Sequence, residues 1–115
     1  MGDLRQHFSR AEFACACCHR LDVIDDRLLD VLQRARTAKG RPLRIVSGYR
    51  CCRHNATVGG IRYSQHLYGR AADVPRGYAS VREWESFGAI GIGVRDGQVI
   101  HVDVEPGRPA YTFRE

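Results

Sequence analysis

Apolar positions along the chain recur with two different periods, and the change of period marks out the elements. Between Asp26 and Lys39, Leu28, Val31, Leu32, Ala35 and Ala38 recur at spacings of three and four, which lines one face of a helix; Gly40 and Pro42 stop it. Upstream, Ser9-Arg10-Ala11-Glu12 has the capping-box pattern and predicts a short helix through Phe13. Leu43-Arg44-Ile45-Val46-Ser47, bounded by Gly48, reads as a strand, and Arg70 to Val74 as a second. Between them, Cys52 to Val58 predicts a short helix ended by Gly59-Gly60, and Val81 to Phe87 predicts another. Gly91 to Val94 and Gln98 to Val104 flank Asp96-Gly97, a favoured turn pair, and predict a hairpin. Helices early and strands late imply an α+β fold, a small antiparallel sheet covered by helices. With 115 residues and no repeat, linker or low-complexity stretch, residues 1–115 suit a single domain.

Composition narrows the class. Hydrophobic residues at 43% and charged residues at 27% describe a folded chain rather than a disordered one. The opening MGDLRQHFSR has no apolar run, so neither a signal peptide nor a membrane span is expected there. Synthesis in the cytoplasm is the expectation, with any action in the wall or periplasm following release. The net charge of +5 favours anionic partners. Every basic residue except Lys39 is an arginine, yet the arginines are scattered, without a run or aromatic interleaving. A basic surface is therefore expected rather than a nucleic-acid interface, and the protein is expected to be a monomer. Cys15, Cys17, Cys18, Cys51 and Cys52 form an odd, clustered set, unlike a secreted disulfide scaffold. Mostly reduced thiols are expected. Cys15-x-x-Cys18 with Cys51-x-x-His54 could form a structural zinc site if the segments converge; buried thiols or one disulfide are the alternatives.

Candidate chemistry concentrates in two segments. In Ser64-Gln65-His66-Leu67-Tyr68-Gly69-Arg70-Ala71-Ala72-Asp73, a glycine reversal lies between an imidazole and a carboxylate, both good zinc ligands. Alternation along Val99 to Val104 puts His101 and Asp103 on one face and Ile100, Val102 and Val104 on the other. The His/Asp face either meets solvent or lines a site. His66, Asp73 and His101 together would give two histidines and a carboxylate with a vacant fourth position, the arrangement of a catalytic zinc. His7 and His19 lie in polar surroundings and are expected at the surface. Trp84 and Phe87 are expected to pack on the sheet. Tyr49, Tyr63 and Tyr68 flank the motif, where they either line a substrate groove or pack.

Ser47-Gly48-Tyr49-Arg50, His54-Asn55, Val58-Gly59-Gly60, Ser64-x-His66-x-x-Gly69-x-Ala71-x-Asp73 and His101-Val102-Asp103-Val104 together resemble the zinc D-alanyl-D-alanine carboxypeptidase family. The resemblance runs from Phe8-Ser9-x-x-Glu12-Phe13 to Val104 and implies the fold shared with the hedgehog signalling domain. It implies a zinc metallopeptidase, a D,D- or L,D-carboxypeptidase or endopeptidase acting on peptidoglycan stem peptides, as in phage-type lytic enzymes. A zinc-containing binding module of the same fold is the alternative. His66, Asp73 and His101 match the family's zinc ligands, Arg50 an arginine that contacts substrate or oxyanion, and Ser64 a serine near the substrate; Tyr49 beside Arg50 joins the expected substrate-binding set. The pattern fails at the general base. Several relatives carry Glu or Asp three residues before the last ligand, where this chain has Gln98. Asp103, about 7 Å along the strand from His101, is the replacement expected here, or else a residue that orients a ligand; Asp96 and Glu105 are the further candidates.

Overall fold

In a computed structural model describing residues 2–58 and 64–115, the amphipathic segment forms helix α2 (Asp26–Lys39). The Asp25 side chain accepts from Arg27 N at its start, and Gly40 closes it in the left-handed region at φ 65°. Leu28, Leu29, Val31, Leu32 and Ala35 are buried, but Ala38 is exposed, so the apolar stripe ends one turn before the helix does. Ahead of it, α1 (Arg10–Phe13) begins at Ser9, whose N–H donates to the Glu12 carboxylate at 2.7 Å, and buries Phe13. Helices α3 (Cys52–Thr57) and α4 (Val81–Ser86) lie within a residue of their expected bounds, and the expected stop at Gly59-Gly60 lies outside the described residues.

The sheet has four strands, β1 (Ala71–Asp73), β2 (Gly91–Arg95), β3 (Gln98–Asp103) and β4 (Tyr111–Arg114), in the order β1-β3-β2-β4. β1 and β2 pair antiparallel with β3, forming the hairpin expected at Asp96-Gly97. β4 pairs parallel with β2, so the sheet is mixed rather than wholly antiparallel. Nothing local in Tyr111-Thr112-Phe113-Arg114 specifies that pairing, because the partner lies about twenty residues away and fixes the direction by register.

The strand expected at Leu43–Ser47 is reduced to a single bridge, with Ser47 opposite Asp73. Val46 N donates to Asp73 O and Asp73 N to Ser47 O, at 2.9 and 2.8 Å. Leu43 and Ile45 still alternate inward, so the pattern reported burial without a ladder. A 3-10 helix, Gln65–Tyr68, occupies the segment ahead of β1, and Gly69 ends it at φ 65°. No side chain fits at Gly69, because the Val23 carbonyl occupies the place of its Cβ.

One face of the sheet, with Ala72, Ile92 and Val102 fully buried, packs against a core containing Leu28, Leu32 and Trp84. Trp84 and Phe87 join this core as expected, with ring centroids 5.8 Å apart. Gly93 faces His101 while Val94 faces Val99, so Ile100 is an extra residue that bulges from β3. The bulge breaks the expected alternation. Val99 enters the core, and Ile100 turns to the cleft on the opposite face. Among the described residues, no helix is long and apolar enough to cross a membrane.

Candidate active site

Strand register assembles the site. On the face away from the helices, Asp73 of β1 lies opposite His101 of β3, and His101 lies opposite Gly93 of β2. His66 arrives from the 3-10 helix, whose start is capped by the Ser64 hydroxyl accepting from His66 N at 3.2 Å. Asp73 Oδ1 then lies 3.1 Å from His66 Nε2 and 3.3 Å from His101 Nδ1. Donors on a tetrahedral ion with bonds of about 2.0–2.1 Å stand about 3.3 Å apart; both separations from Asp73 match that spacing, and all three atoms lie within 4.8 Å of one another, so the set can hold a zinc ion.

The remaining hydrogen bonds set the tautomers. His66 Nδ1 donates to the Gly48 carbonyl at 2.7 Å, and His101 Nε2 donates to Asp103 Oδ2 at 2.9 Å. Each ring therefore presents its other nitrogen, unprotonated, toward Asp73 when a cation is present. Asp103 Oδ1 accepts from the backbone N–H groups of Gly91 and Glu105, both at 3.1 Å. Burial would raise the Asp103 carboxyl, but its bond to His101 and these N–H groups hold it below its ordinary value. With 2% exposure and hydrogen bonds to both of its oxygens, Asp103 is held where it orients His101. Of the two roles expected for Asp103, these bonds support the orienting one over that of general base. Asp103→Asn is expected to weaken zinc binding about 10–100-fold, measured by competition with a chromogenic chelator.

Gly91 makes this arrangement possible. A Cβ there would collide with both Asp103 carboxylate oxygens. At Gly93, a Cβ would stand 2.9 Å from His101 Cβ and 3.1 Å from Glu115 Oε1. The Phe113 ring from β4 packs edge-on against His101, with centroids 5.3 Å apart, and β4 delivers Glu115 Oε1 to 3.8 Å from His101 Nδ1.

Burial would also raise Asp73, yet hydrogen bonds from His101 and His66 hold it well below the usual carboxylate range. For His101, burial works toward a lower value, but Asp103 and Asp73 raise the imidazole to about 9. Below that value the metal-free ring holds a proton, which a cation must displace. Zinc affinity is therefore expected to fall with acidity, about tenfold per unit between roughly pH 8 and 6, with one proton released from His101 per ion. Calorimetry in buffers of different ionisation enthalpy counts that proton.

The other expected residues scatter. Arg50 lines the cleft and donates from Nη2 to Asp73 Oδ2 at 2.8 Å, and Ser64 lines it from a largely buried position. Tyr49 does not reach the cleft. Its N–H donates to Phe13 O, its ring is buried, and its hydroxyl donates to Asp22 at 3.0 Å. Burial, then Asp22, pushes its hydroxyl up to about 12. Tyr68 is exposed under Arg70, and Tyr63 lies outside the described residues. Asp96 sits at the hairpin tip, 3.6 Å from Arg76, and Gln98 is exposed and away from the cleft. Glu105 lines the cleft but accepts from Tyr111 OH at 2.6 Å and from Arg108. His19 is exposed as expected, whereas His7 is half-buried, 2.7 Å from the Gln33 amide. Glu115 was not foreseen, because it reaches the site only through the pairing of β4.

The family model for Peptidase M15 matches residues 6–103. The chain belongs to the peptidase M15 family. Comparison with curated proteins finds no match. The M15 match covers every residue of the His66–Asp73–His101 set and agrees with the small α+β fold. M15 membership supports a function of metallopeptidase type, and the zinc dependence of the family accords with the donor set described above.

Proposed function

We propose that this M15 protein is a zinc metallopeptidase that hydrolyses a peptide bond in the stem peptides of bacterial peptidoglycan, as a carboxypeptidase or endopeptidase. The observation that carries the reading is the pair of imidazoles, each held by a hydrogen bond that turns its free nitrogen toward Asp73, at the floor of an open cleft of about 990 Å³. Zinc held by His66, Asp73 and His101 would polarise the scissile carbonyl and acidify water.

The protein's own groups supply the rest. Glu115, with its side chain 32% exposed beside His101, takes the proton of the attacking water and passes it to the departing amine. Arg50 holds a fixed positive charge next to Asp73, toward the oxyanion that forms as the carbonyl is attacked. Six arginines line the cleft: Arg44, Arg50, Arg76, Arg95, Arg108 and Arg114. Such a wall suits a peptide rich in free carboxylates, which stem peptides are, and guanidinium groups pair with carboxylates in two-point fashion. On this reading the protein acts where peptidoglycan is reached, in the wall or periplasm.

Digestion of defined muropeptides by the zinc-loaded protein, followed by mass spectrometry, tests the reading. Loss of a terminal D-Ala or scission of a crosslink is expected. No cleavage of any muropeptide by a protein carrying stoichiometric zinc in this site would leave a metal-containing binding module of the same fold.

A further inference from the structure

Four thiols from two distant segments meet beside the active-site loop. Cys15, Cys17 and Cys18 follow α1, and Cys51 is the N-cap of α3, directly after Arg50. Their sulfur atoms all lie within 4.8 Å of one another. Cys15 Sγ is 3.6 Å from both Cys17 Sγ and Cys51 Sγ, and the last two are 3.3 Å apart. A disulfide requires about 2.05 Å, whereas four sulfurs on a tetrahedral zinc ion, at about 2.3 Å each, stand about 3.8 Å from one another. The four are spaced as ligands of one ion.

The backbone around them is built for thiolates. Cys51 N donates to Cys15 Sγ at 3.5 Å, and His54 N donates to Cys51 Sγ at 3.4 Å. The N–H groups of Cys17 and Cys18 also turn to the Cys15 sulfur, and that of Arg20 to the Cys18 sulfur. His19 adopts φ 61°, and its N–H returns to Cys15 O at 2.8 Å, which folds the segment so that the first and last cysteines of Cys15-x-x-Cys18 face the same way. N–H groups aimed at sulfur stabilise the ionised form.

We propose that Cys15, Cys17, Cys18 and Cys51 bind a second, structural zinc ion, separate from the His66–Asp73–His101 centre. Four thiolates close the coordination shell and leave no position for substrate or water. Thiolate donors select zinc over magnesium or calcium. The expected Cys51-x-x-His54 pair contributes differently from its spacing: His54 supplies a backbone N–H, and Cys17 supplies the fourth sulfur. The ion would clip Cys15 to Cys51 across 36 residues of sequence. That clip bears on catalysis by position. The stretch it anchors contains Gly48, whose carbonyl holds His66, and Arg50, which holds Asp73.

The test removes the other centre first. In a His66→Ala/His101→Ala protein purified under reducing conditions and loaded with zinc, native mass spectrometry is expected to find one zinc ion per chain. Four fewer thiols should react with a thiol reagent until a strong chelator is added. Loading the same protein with cobalt is expected to produce an intense near-ultraviolet sulfur-to-cobalt band. Cys17→Ser alters an exposed position and so spares the core; in the double variant it is expected to weaken metal retention against a competing chelator by at least about tenfold. A double variant that holds no metal while all its thiols react, or a Cys17→Ser version that retains metal unchanged, overturns the proposal. Because the histidine centre is absent throughout, either result is independent of whether the protein cleaves peptidoglycan.

Discussion

Replacing His101 with alanine is expected to lower turnover of a susceptible stem peptide by at least about a thousandfold and to remove one zinc ion per chain, read by muropeptide digestion alongside metal analysis. No other side chain joins as many parts of the site. His101 faces Asp73 at 3.3 Å, receives its orientation from Asp103 at 2.9 Å, and packs its ring against His66 and Phe113, each at a centroid distance of 5.3 Å. Its loss also leaves Asp103 buried with one oxygen unpaired, at a cost of about 1–3 kcal/mol in stability. A melting curve separates this loss of stability from the loss of turnover. His66→Ala provides the control, since His66 lies outside the sheet on the 3-10 helix and its loss leaves the Asp103 hydrogen bonds in place. If both variants stay folded and keep turnover within tenfold of the parent, the three residues are not the catalytic centre.

Glu115→Gln carries the second large effect. Turnover is expected to fall about 10²–10⁴-fold, with zinc content and KM little changed, because an amide of nearly the same shape cannot accept the proton. Asp96→Asn and Glu105→Gln are the comparison set. The first alters a hairpin tip away from the cleft, and the second alters a carboxylate already engaged by Tyr111 and Arg108. Both are expected to keep turnover within about threefold of the parent. If Glu105→Gln reproduces the loss and Glu115→Gln does not, the base belongs to the loop before β4.

How the sequence reading stands against the structure depends on how far each feature's causes extend along the chain. Helix α2 was legible because its apolar stripe and its Gly40 stop lie close together in the chain and act through one amphipathic face, whereas its Asp25 cap was seen only in the structure. Alternation in Val99 to Val104 correctly placed His101 and Asp103 on one face, since the pleat has period two. It failed at Ile100, where the bulge inserts a residue that no alternation rule anticipates. Tyr49 misled for a related reason. Its place beside Arg50 suggested a groove, but the backbone bond from Tyr49 to Phe13 points the ring inward.

By itself, then, the sequence determined the helices, the hairpin, the α+β class and the identity of the two imidazoles and the carboxylate that the register brings within 3.3 Å of a shared oxygen. These follow from short-range periodicity, capping and a motif whose residues carry their chemistry wherever they sit. Only the tertiary structure decided which nitrogen each histidine presents, that Asp103 orients His101, that Glu115 reaches the cleft, and that Cys17 rather than His54 completes the thiol cluster. The position of Glu115 and the thiol cluster depend on pairings between segments far apart in the chain, β4 with β2 and Cys15 with Cys51, and the orientations of His66 and Asp103 depend on the approach of Gly48 and Gly91; such pairings are selected by the packing of the whole core, to which no single stretch of residues has access.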